Sequence, residues 1–360
     1  MGLNVRDSDQ AAMDLFDLTR QLIDIPSVSG EEAEVGRFLA SHLESLNYVV
    51  ETQEVADGRF NIIAWTGTRP RMVLSTHMDT VPPHIPAGED EEYIYGRGAC
   101  DAKGIIAAQI TAAERLRAGG FKDVGLLFTV DEELGSLGAR AANNHPHADA
   151  CLYLINGEPT DNKLAVGSKG SLRVTIRAEG RAAHSAYPEY GDSAIEKLLD
   201  VLADLRASVW PTDELFGETT CNIGVIAGGT RPNVIPAEAY ADLQIRLVTE
   251  SVLVKEMLER ITAGRAQVQY LSVAERVRLH AVEGFEQCVV RFTTDIPHLK
   301  SWGTPLLLGP GSILDAHTST ERVAKRELSD AVDLYVRLVH SLMEREQKIS
   351  SQREMAEGVR

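Results

Sequence analysis

A chain of 360 residues, 44% hydrophobic and 25% charged, is ordinary for a globular protein but longer than one hydrophobic core comfortably fills, so two domains are expected. Its formal charge of -17 argues against nucleic acid or an anionic membrane as a partner, since both need a surface rich in lysine and arginine. No apolar run approaches the roughly 20 residues of a membrane span, and the opening "MGLNVRDSDQ" is unlike a secretory signal, so a cytoplasmic location is the expectation.

Ala12, Leu15, Phe16, Leu22 and Ile23 recur on one helical face, and Pro26 stops that helix. Ser29 followed by Glu32 reads as a capping box ahead of a second helix with Val35, Phe38, Leu39, Leu43 and Leu46 on its apolar face. Then "NIIAW", "RMVLST", "VGLLFTV" and "ACLYLI" read as buried strands, with "KGIIAAQITAAERLRA" and "SLGARAANN" as helices between them. The fold class is α/β. Polar residues stand where three of these strands end: His77, Asp131 to Glu133, and Glu158. In open α/β sheets the crevice beyond the strands' carboxyl ends is where ligands bind.

From about Lys169 the pattern changes. "SLRVTIRAEG" reads as a strand, "SAIEKLLDVLADLRASV" as a helix, "TTCNIGVIAGG" and "EAYADLQIRLV" as strands, "SVLVKEMLERITA" as a helix and "AQVQYLS" as a strand. This βαββαβ order is the ferredoxin-like split arrangement, which predicts an inserted α+β domain over residues 169–273. Residues 1–168 and 274–346 would form the flanking α/β domain, closing with the helix "RELSDAVDLYVRLVHSLM", and the polar residues 347–360 read as a frayed helix end or a disordered tail.

Five spots require one explanation: "THMDT" with His77 and Asp79, "GRGACDAKG" with Asp101, "DEELGS" with Glu132 and Glu133, "NGEPT" with Glu158, and "GPGSILDAHT" with His317. Two histidines and several carboxylates form a mixed nitrogen and oxygen ligand set that suits zinc or another borderline divalent ion. If one carboxylate bridges, the set suffices for two ions. Asp79 can accept the second ring N–H of His77 and fix its tautomer. Of Glu132 and Glu133, one can bind metal while the other serves as general base toward a metal-activated water. Each motif alone also reads as a cap or a solvated turn; their order and strand-end context favour a site. His42, His84, His145, His147, His280, His298 and His340 read as residues with no ligand role. Cys100, Cys151, Cys221 and Cys288 lack any C-x-x-C spacing and read as reduced thiols, Cys100 being a small packed side chain beside Asp101. Lys103 and Gly104 belong to the turn into the helix that follows.

The run of motifs from "IPSVSGEE" to "AHTSTE" resembles the family of dinuclear zinc amidohydrolases that includes acetylornithine deacetylase, succinyl-diaminopimelate desuccinylase, aminoacylase and glutamate carboxypeptidases. The resemblance covers nearly the whole chain. It implies a mixed-sheet zinc-hydrolase catalytic domain with an inserted dimerisation or lid domain, and two divalent ions, zinc foremost with cobalt or manganese as alternatives. His77 and Glu158 resemble terminal ligands of different metals, with Glu133 on the metal of His317 and Asp101 bridging the two. Glu132 is similar to the general base, and Asp79 to the residue behind His77.

In the inserted segment, "GRAAHSAYPEYGDSAI" resembles the family signature whose histidine, here His184, reaches the other subunit's active site in a homodimer and steadies the oxyanion. Without the resemblance it reads as a turn histidine. "GGTRPNVIPAEA" resembles the segment whose asparagine, here Asn233, faces substrate. Arg231 is open to a substrate carboxylate or a surface role. Arg246 is similar to an arginine placed for carboxylate recognition, with an interstrand salt bridge as the other reading. Gly309, Gly311 and Ser312 offer flexibility and backbone N–H groups near substrate, or a tight turn.

"GPGSILDAHTSTE" is most similar to the acetylornithine deacetylase branch, so the expected reaction is hydrolysis of the amide of a small N-acyl amino acid, N-acetylornithine first, in arginine biosynthesis. Acetylcitrulline, succinyl-diaminopimelate and lysine or ornithine linked to a carrier protein stand as alternatives. A dipeptidase or carboxypeptidase would use the same metals and base. A binding protein that had lost catalysis is a third class, disfavoured because the ligand set and the base are all present.

Overall fold

The structure, a computed structural model, describes residues 14–67 and 69–357. Ala12, the opening decapeptide and the last three residues of the expected tail lie outside the described residues. The chain divides into two compact units. The first holds the described residues up to Ala165, His280–Cys288 and the chain from His298 onward; the second is Val166–Leu279 with Val289–Pro297. The second unit therefore exceeds the expected 169–273 span at both ends and takes back a short later segment.

The principal strands of the first unit are β1 (Val49–Ala56), β2 (Arg59–Trp65), β3 (Met72–His77), β4 (Val124–Thr129) and β5 (Tyr153–Asn156), followed by β6 (Leu164–Ser168), in which the chain passes from the first unit to the second after Ala165. The second unit contributes β7 (Gly170–Glu179), β8 (Thr220–Gly228), β9 (Glu238–Leu247) and β10 (Gln267–Ala274), before β11 (Thr304–Leu307) returns to the first. The helices are α1 (Leu15–Asp24), α2 (Ala33–Ser45), α3 (Lys103–Ala118), α4 (Leu137–Ala142), α5 (Ala194–Ala207), α6 (Ser251–Thr262) and α7 (Lys325–Glu357).

The large mixed sheet runs β1-β2-β4-β3-β5-β11-β6. Its centre, β4-β3-β5-β11, is parallel, while β1, β2 and β6 pair antiparallel. Every residue of β3 and β4 is buried, as expected for parallel strands covered on both faces. Side chains alternate between the two faces. Met72, Leu74, Leu126, Phe128 and Ile155 join the core made with α1, α2, α3 and α7; Val73, Leu127 and Leu154 join a second core with Ala139, Ala142 and Trp302. Helix α3 is apolar nearly all round because it is enclosed by the sheet, α1 and α7.

Two local expectations change. Helix α2 begins with Glu32 itself at the N-cap and no side-chain cap. The Ser29 hydroxyl instead donates to Asp79 Oδ2 at 2.7 Å, and Glu32 takes a bidentate bond from Arg59 at 2.6 and 2.8 Å. Tertiary partners thus displaced the capping box. Helix α7 continues to Glu357, so residues 347–357 extend it rather than form a tail; glutamate, glutamine, lysine and arginine are good helix formers, and adding turns to an existing helix is cheap. Among the described residues no helix is long and apolar enough to cross a membrane.

The second unit carries an antiparallel sheet in the order β8-β9-β7-β10. Counted within the unit this is 2-3-1-4, the ferredoxin-like order that βαββαβ implies. Leu172, Val174, Ile176, Leu243 and Ile245 bury one face of it against Leu198 and Leu202 of α5 and Val254 and Leu258 of α6.

Candidate active site

The parallel register brings the ends of β3, β4 and β5 level: His77 stands opposite Thr129, and Ser75 opposite Asn156. The chain leaves these ends carrying His77, then Asp131 to Glu133 after β4, and Glu158 after β5. Asp101 lies in the loop just ahead of α3. All belong to the first unit, as does His317.

Two groups of ligating atoms result: His77, Asp101 and Glu158, and Asp101, Glu133 and His317, with the atoms in each within 4.8 Å of one another. Asp101 belongs to both. Its Oδ1 is 2.9 Å from His77 Nε2, and its Oδ2 is 3.3 Å from His317 Nε2. The same His317 nitrogen lies 2.9 Å from Glu133 Oε1. Imidazole nitrogens and carboxylate oxygens in shared clusters fit two borderline divalent ions. One expectation is corrected: His77 and Glu158 fall in the same group, not on opposite sides of Asp101, because β3 and β5 are adjacent strands.

Electrostatics follow from the crowding. Burial opposes charge on His77, yet Asp101, Asp79 and Glu158 outweigh it and hold its pKa well above the ordinary histidine value. His317 is raised to about 10 by its bonds to Asp101 and Glu133. Burial works against ionised Asp101, but the two histidines hold its carboxyl well below the usual range. Burial pushes Glu133 up, with His317 pulling the other way. A nest of opposed charges at strand ends is a signature of function more than of stability.

Asp79 does more than sit behind His77. The nearest acceptor for His77 Nδ1 is the backbone carbonyl of Asp79 at 3.0 Å, with its carboxylate Oδ1 at 3.4 Å. That carboxylate accepts the backbone N–H groups of Glu132 and Glu133 at 3.0 and 3.1 Å and the Ser29 hydroxyl. It therefore fixes the turn on which Glu132 and Glu133 stand. Asp131 has a left-handed backbone, φ 71°, and bonds Arg59 at 2.8 Å, so one guanidinium ties it to Glu32.

Gly309 and Gly311 have structural reasons to be glycine. A Cβ at Gly309 would stand 2.5 Å from the Glu158 carbonyl oxygen, and one at Gly311, whose φ is +84°, would stand 2.5 Å from Cys100 Cβ. The Gly309 N–H is donated to Thr160 Oγ1 at 3.0 Å, and Ser312 bridges to Thr160. The tight-turn reading describes this loop, which seats Glu158 and confirms Cys100 as a buried packing residue.

The second unit holds the remaining predicted residues. Segments 181–185 and 231–235 run side by side, with His184 bridged to Val234 and Ser185 N–H donating to Asn233 O at 3.1 Å, so His184 and Asn233 are exposed neighbours. His184 Nδ1 accepts from Ala186 N–H at 3.2 Å, which leaves Nε2 as the outward nitrogen. Arg231 is exposed. Arg246, on the sheet face away from α5 and α6, makes no interstrand salt bridge among the described residues; burial and then the charge of Arg173 lower its pKa. A cavity of about 510 Å³ beside the loop of Asn233 is lined by Thr230, Val234, Ile235 and Tyr240 among others.

The model for peptidase family M20/M25/M40 matches residues 73–341. The chain belongs to this family. Among M20 relatives it is 36% identical to a peptidase M20 domain-containing protein of Schizosaccharomyces pombe, over 91% of this chain and 85% of that one. It is 38% identical to a protein of Aspergillus niger named "Probable carboxypeptidase", over 91% and 89%. Solved structures share the fold. Aminopeptidase PepT from Bacillus cereus superposes with TM-score 0.74 at 22% identity, covering 89% of this chain and 96% of that one. A dinuclear metal-binding M20 peptidase from Bacillus subtilis gives 0.68 at 16% identity, covering 91% and 98%. This chain is thus an M20-family metal-dependent hydrolase with an α/β fold. Arg59, Arg97 and Glu321 did not stand out in the sequence and Ser29 read as a cap, since each bonds a partner distant in the chain: Ser29 to Asp79, Arg59 to Asp131, and Arg97 to Glu321.

Proposed function

We propose that this M20-family protein hydrolyses the amide bond of an N-acylated amino acid bearing a free carboxylate, with two divalent ions, zinc foremost and cobalt or manganese as alternatives. The observation that carries this reading is Asp101, which turns one carboxylate oxygen toward each of two histidines. His77, Asp101 and Glu158 would hold one ion, and Asp101, Glu133 and His317 the other. When bound, such ions acidify water and polarise an acyl carbonyl.

Glu132, next in sequence to Glu133 and held by Asp79 through its backbone N–H, takes the proton of the attacking water and returns it to the leaving amine. The outward Nε2 of His184 donates to the oxyanion, from the partner subunit if the family's dimer forms. Asn233, Arg231 and Arg246 are assigned to the substrate, its carboxylate in particular, and the Gly309, Gly311 and Ser312 loop to its acyl end. The dimer reading is supported by β8, a sheet-edge strand with exposed Val225 and Ile226, and sedimentation measures it directly.

N-acetylornithine is the first substrate to offer, on the similarity of "GPGSILDAHTSTE". The names of the fungal relatives favour a second reading, removal of a carboxy-terminal residue from a short peptide, which breaks the same bond beside the same carboxylate. A turnover panel of N-acetylornithine, N-acetylcitrulline, N-succinyl-diaminopimelate and N-blocked dipeptides, each with a chelated control, tests both. Chelator-sensitive hydrolysis is expected; chelator-insensitive turnover, or two bound ions with no hydrolysis of any member, rejects the proposal.

A further inference from the structure

Two motif residues have no part in the chemistry above: Arg97 of "GRGACDAKG" and Glu321 of "AHTSTE". Both are nearly inaccessible, with side chains 2% and 0% exposed, and Arg97 Nη1 lies 2.6 Å from Glu321 Oε2. The other carboxylate oxygen, Oε1, accepts backbone N–H groups from Gly98 at 2.9 Å, Asp101 at 3.3 Å and Cys100 at 3.4 Å. The Glu321 carbonyl accepts from Gly96 N–H at 3.0 Å, and the next residues pair antiparallel with 93–95.

A carboxylate this deeply buried is costly unless its lone pairs are filled. Here they are filled by the loop that carries Asp101, and Glu321 itself stands four residues past His317. One residue therefore ties together the two segments that present Asp101 and His317. His77 and Glu158 need no such tie, since β3 and β5 set their separation through the sheet.

We infer that Glu321, clamped by Arg97, is the positioning residue that sets the spacing of Asp101 and His317, and so selectively maintains the ion site of Asp101, Glu133 and His317. The inference rests on the two-ion reading of the site. Glu321 touches neither substrate nor ion; it works through the backbone of residues 98–101 and through its own chain.

The test is zinc stoichiometry and affinity, measured by competition with a chelating dye, in wild type and two variants lacking both buried charges. In R97M/E321A the acceptor for the loop amides is gone, and the zinc affinity that His317→Ala abolishes is expected to fall by about 10- to 100-fold while the other stays within a few-fold. In R97M/E321Q the side-chain oxygen still accepts those amides, and both affinities should stay close to wild type. A merely structural ion pair would lower the melting temperature of both variants and spare both affinities, and that pattern overturns the inference. So does an equal loss at both sites.

Amide exchange in the zinc-free wild type keeps the inference testable if R97M/E321A does not fold. The N–H groups of Gly98, Cys100 and Asp101 should be protected, and exchange at the rate of open loops would refute the clamp. A wild-type protein that holds only one zinc ion rejects the two-ion reading, and the inference with it.

Discussion

In the group of His77, Asp101 and Glu158 the outer members leave adjacent strands and are 1% and 4% exposed. In the group of Asp101, Glu133 and His317 they stand on loops, and the His317 side chain is 47% exposed with a left-handed backbone. The chemistry of the donors is similar, but the support differs. One group inherits its geometry from the sheet; the other depends on specific bonds, from Asp79 to the Glu132–Glu133 turn, from Arg59 to Asp131, and from Glu321 to the Asp101 loop. Loss of a supporting residue should therefore separate the groups.

The largest effect expected is at Glu132, which the proposed reaction places outside both groups. Glu132→Gln should lower kcat by about 10²- to 10⁴-fold with two ions still bound; loss of an ion would mean that Glu132 is a ligand and Glu133 the base. Arg59→Met comes next. It leaves Glu32 and Asp131 facing each other without their shared cation, and urea unfolding should show a loss of about 3–5 kcal/mol.

His77→Ala and His317→Ala sharpen the contrast itself. Each should remove an ion, but in zinc-free protein the first breaks a fully buried network and should cost about 1–3 kcal/mol, while the second, at a half-exposed histidine paired with Asp101 and Glu133, should cost less than the first because solvent screens its ion pairs. Equal costs would erase the distinction between a sheet-borne and a loop-borne group.

The smallest effect is in pH. In zinc-free protein His317 keeps its proton up to about 10, and an ion must displace that proton, so affinity at this group should rise by up to about tenfold per pH unit between 7 and 9. A raised histidine pKa has the opposite consequence for the zinc-free fold. Its stabilisation is complete below the ordinary value of 6.5 and is lost as the pH climbs through about 10. Zinc titrations and zinc-free unfolding across that range should therefore trend in opposite directions.

The site was legible where chemistry coincides with a pattern of local sequence. His77, Glu133 and Glu158 follow apolar runs that end abruptly, and the βαββαβ order of the second unit announced its 2-3-1-4 sheet. What was not legible depends on distant partners. Ser29 and Glu32 have the spacing of a capping box, yet they bond Asp79 and Arg59, 50 and 27 residues away. Glu321 meets the Asp101 amide across 220 residues of chain, a separation at which periodicity carries no information. The pairing of His77 with Glu158 was likewise a matter of which strands become neighbours. Val289–Pro297 rejoins the second unit for the same reason, through tertiary packing without a local sign.

The bond from His317 to Glu133 spans 184 residues. A growing chain on the ribosome therefore presents His77, Asp101 and Glu158 long before His317 exists, and the second cluster can close only after 184 residues beyond Glu133 have been made. A ligand that needs both clusters selects chains that have reached His317 over shorter ones, and by mass action it draws them toward the folded state. The cell's supply of the divalent ion would then govern not just the rate of each molecule but how many folded molecules persist.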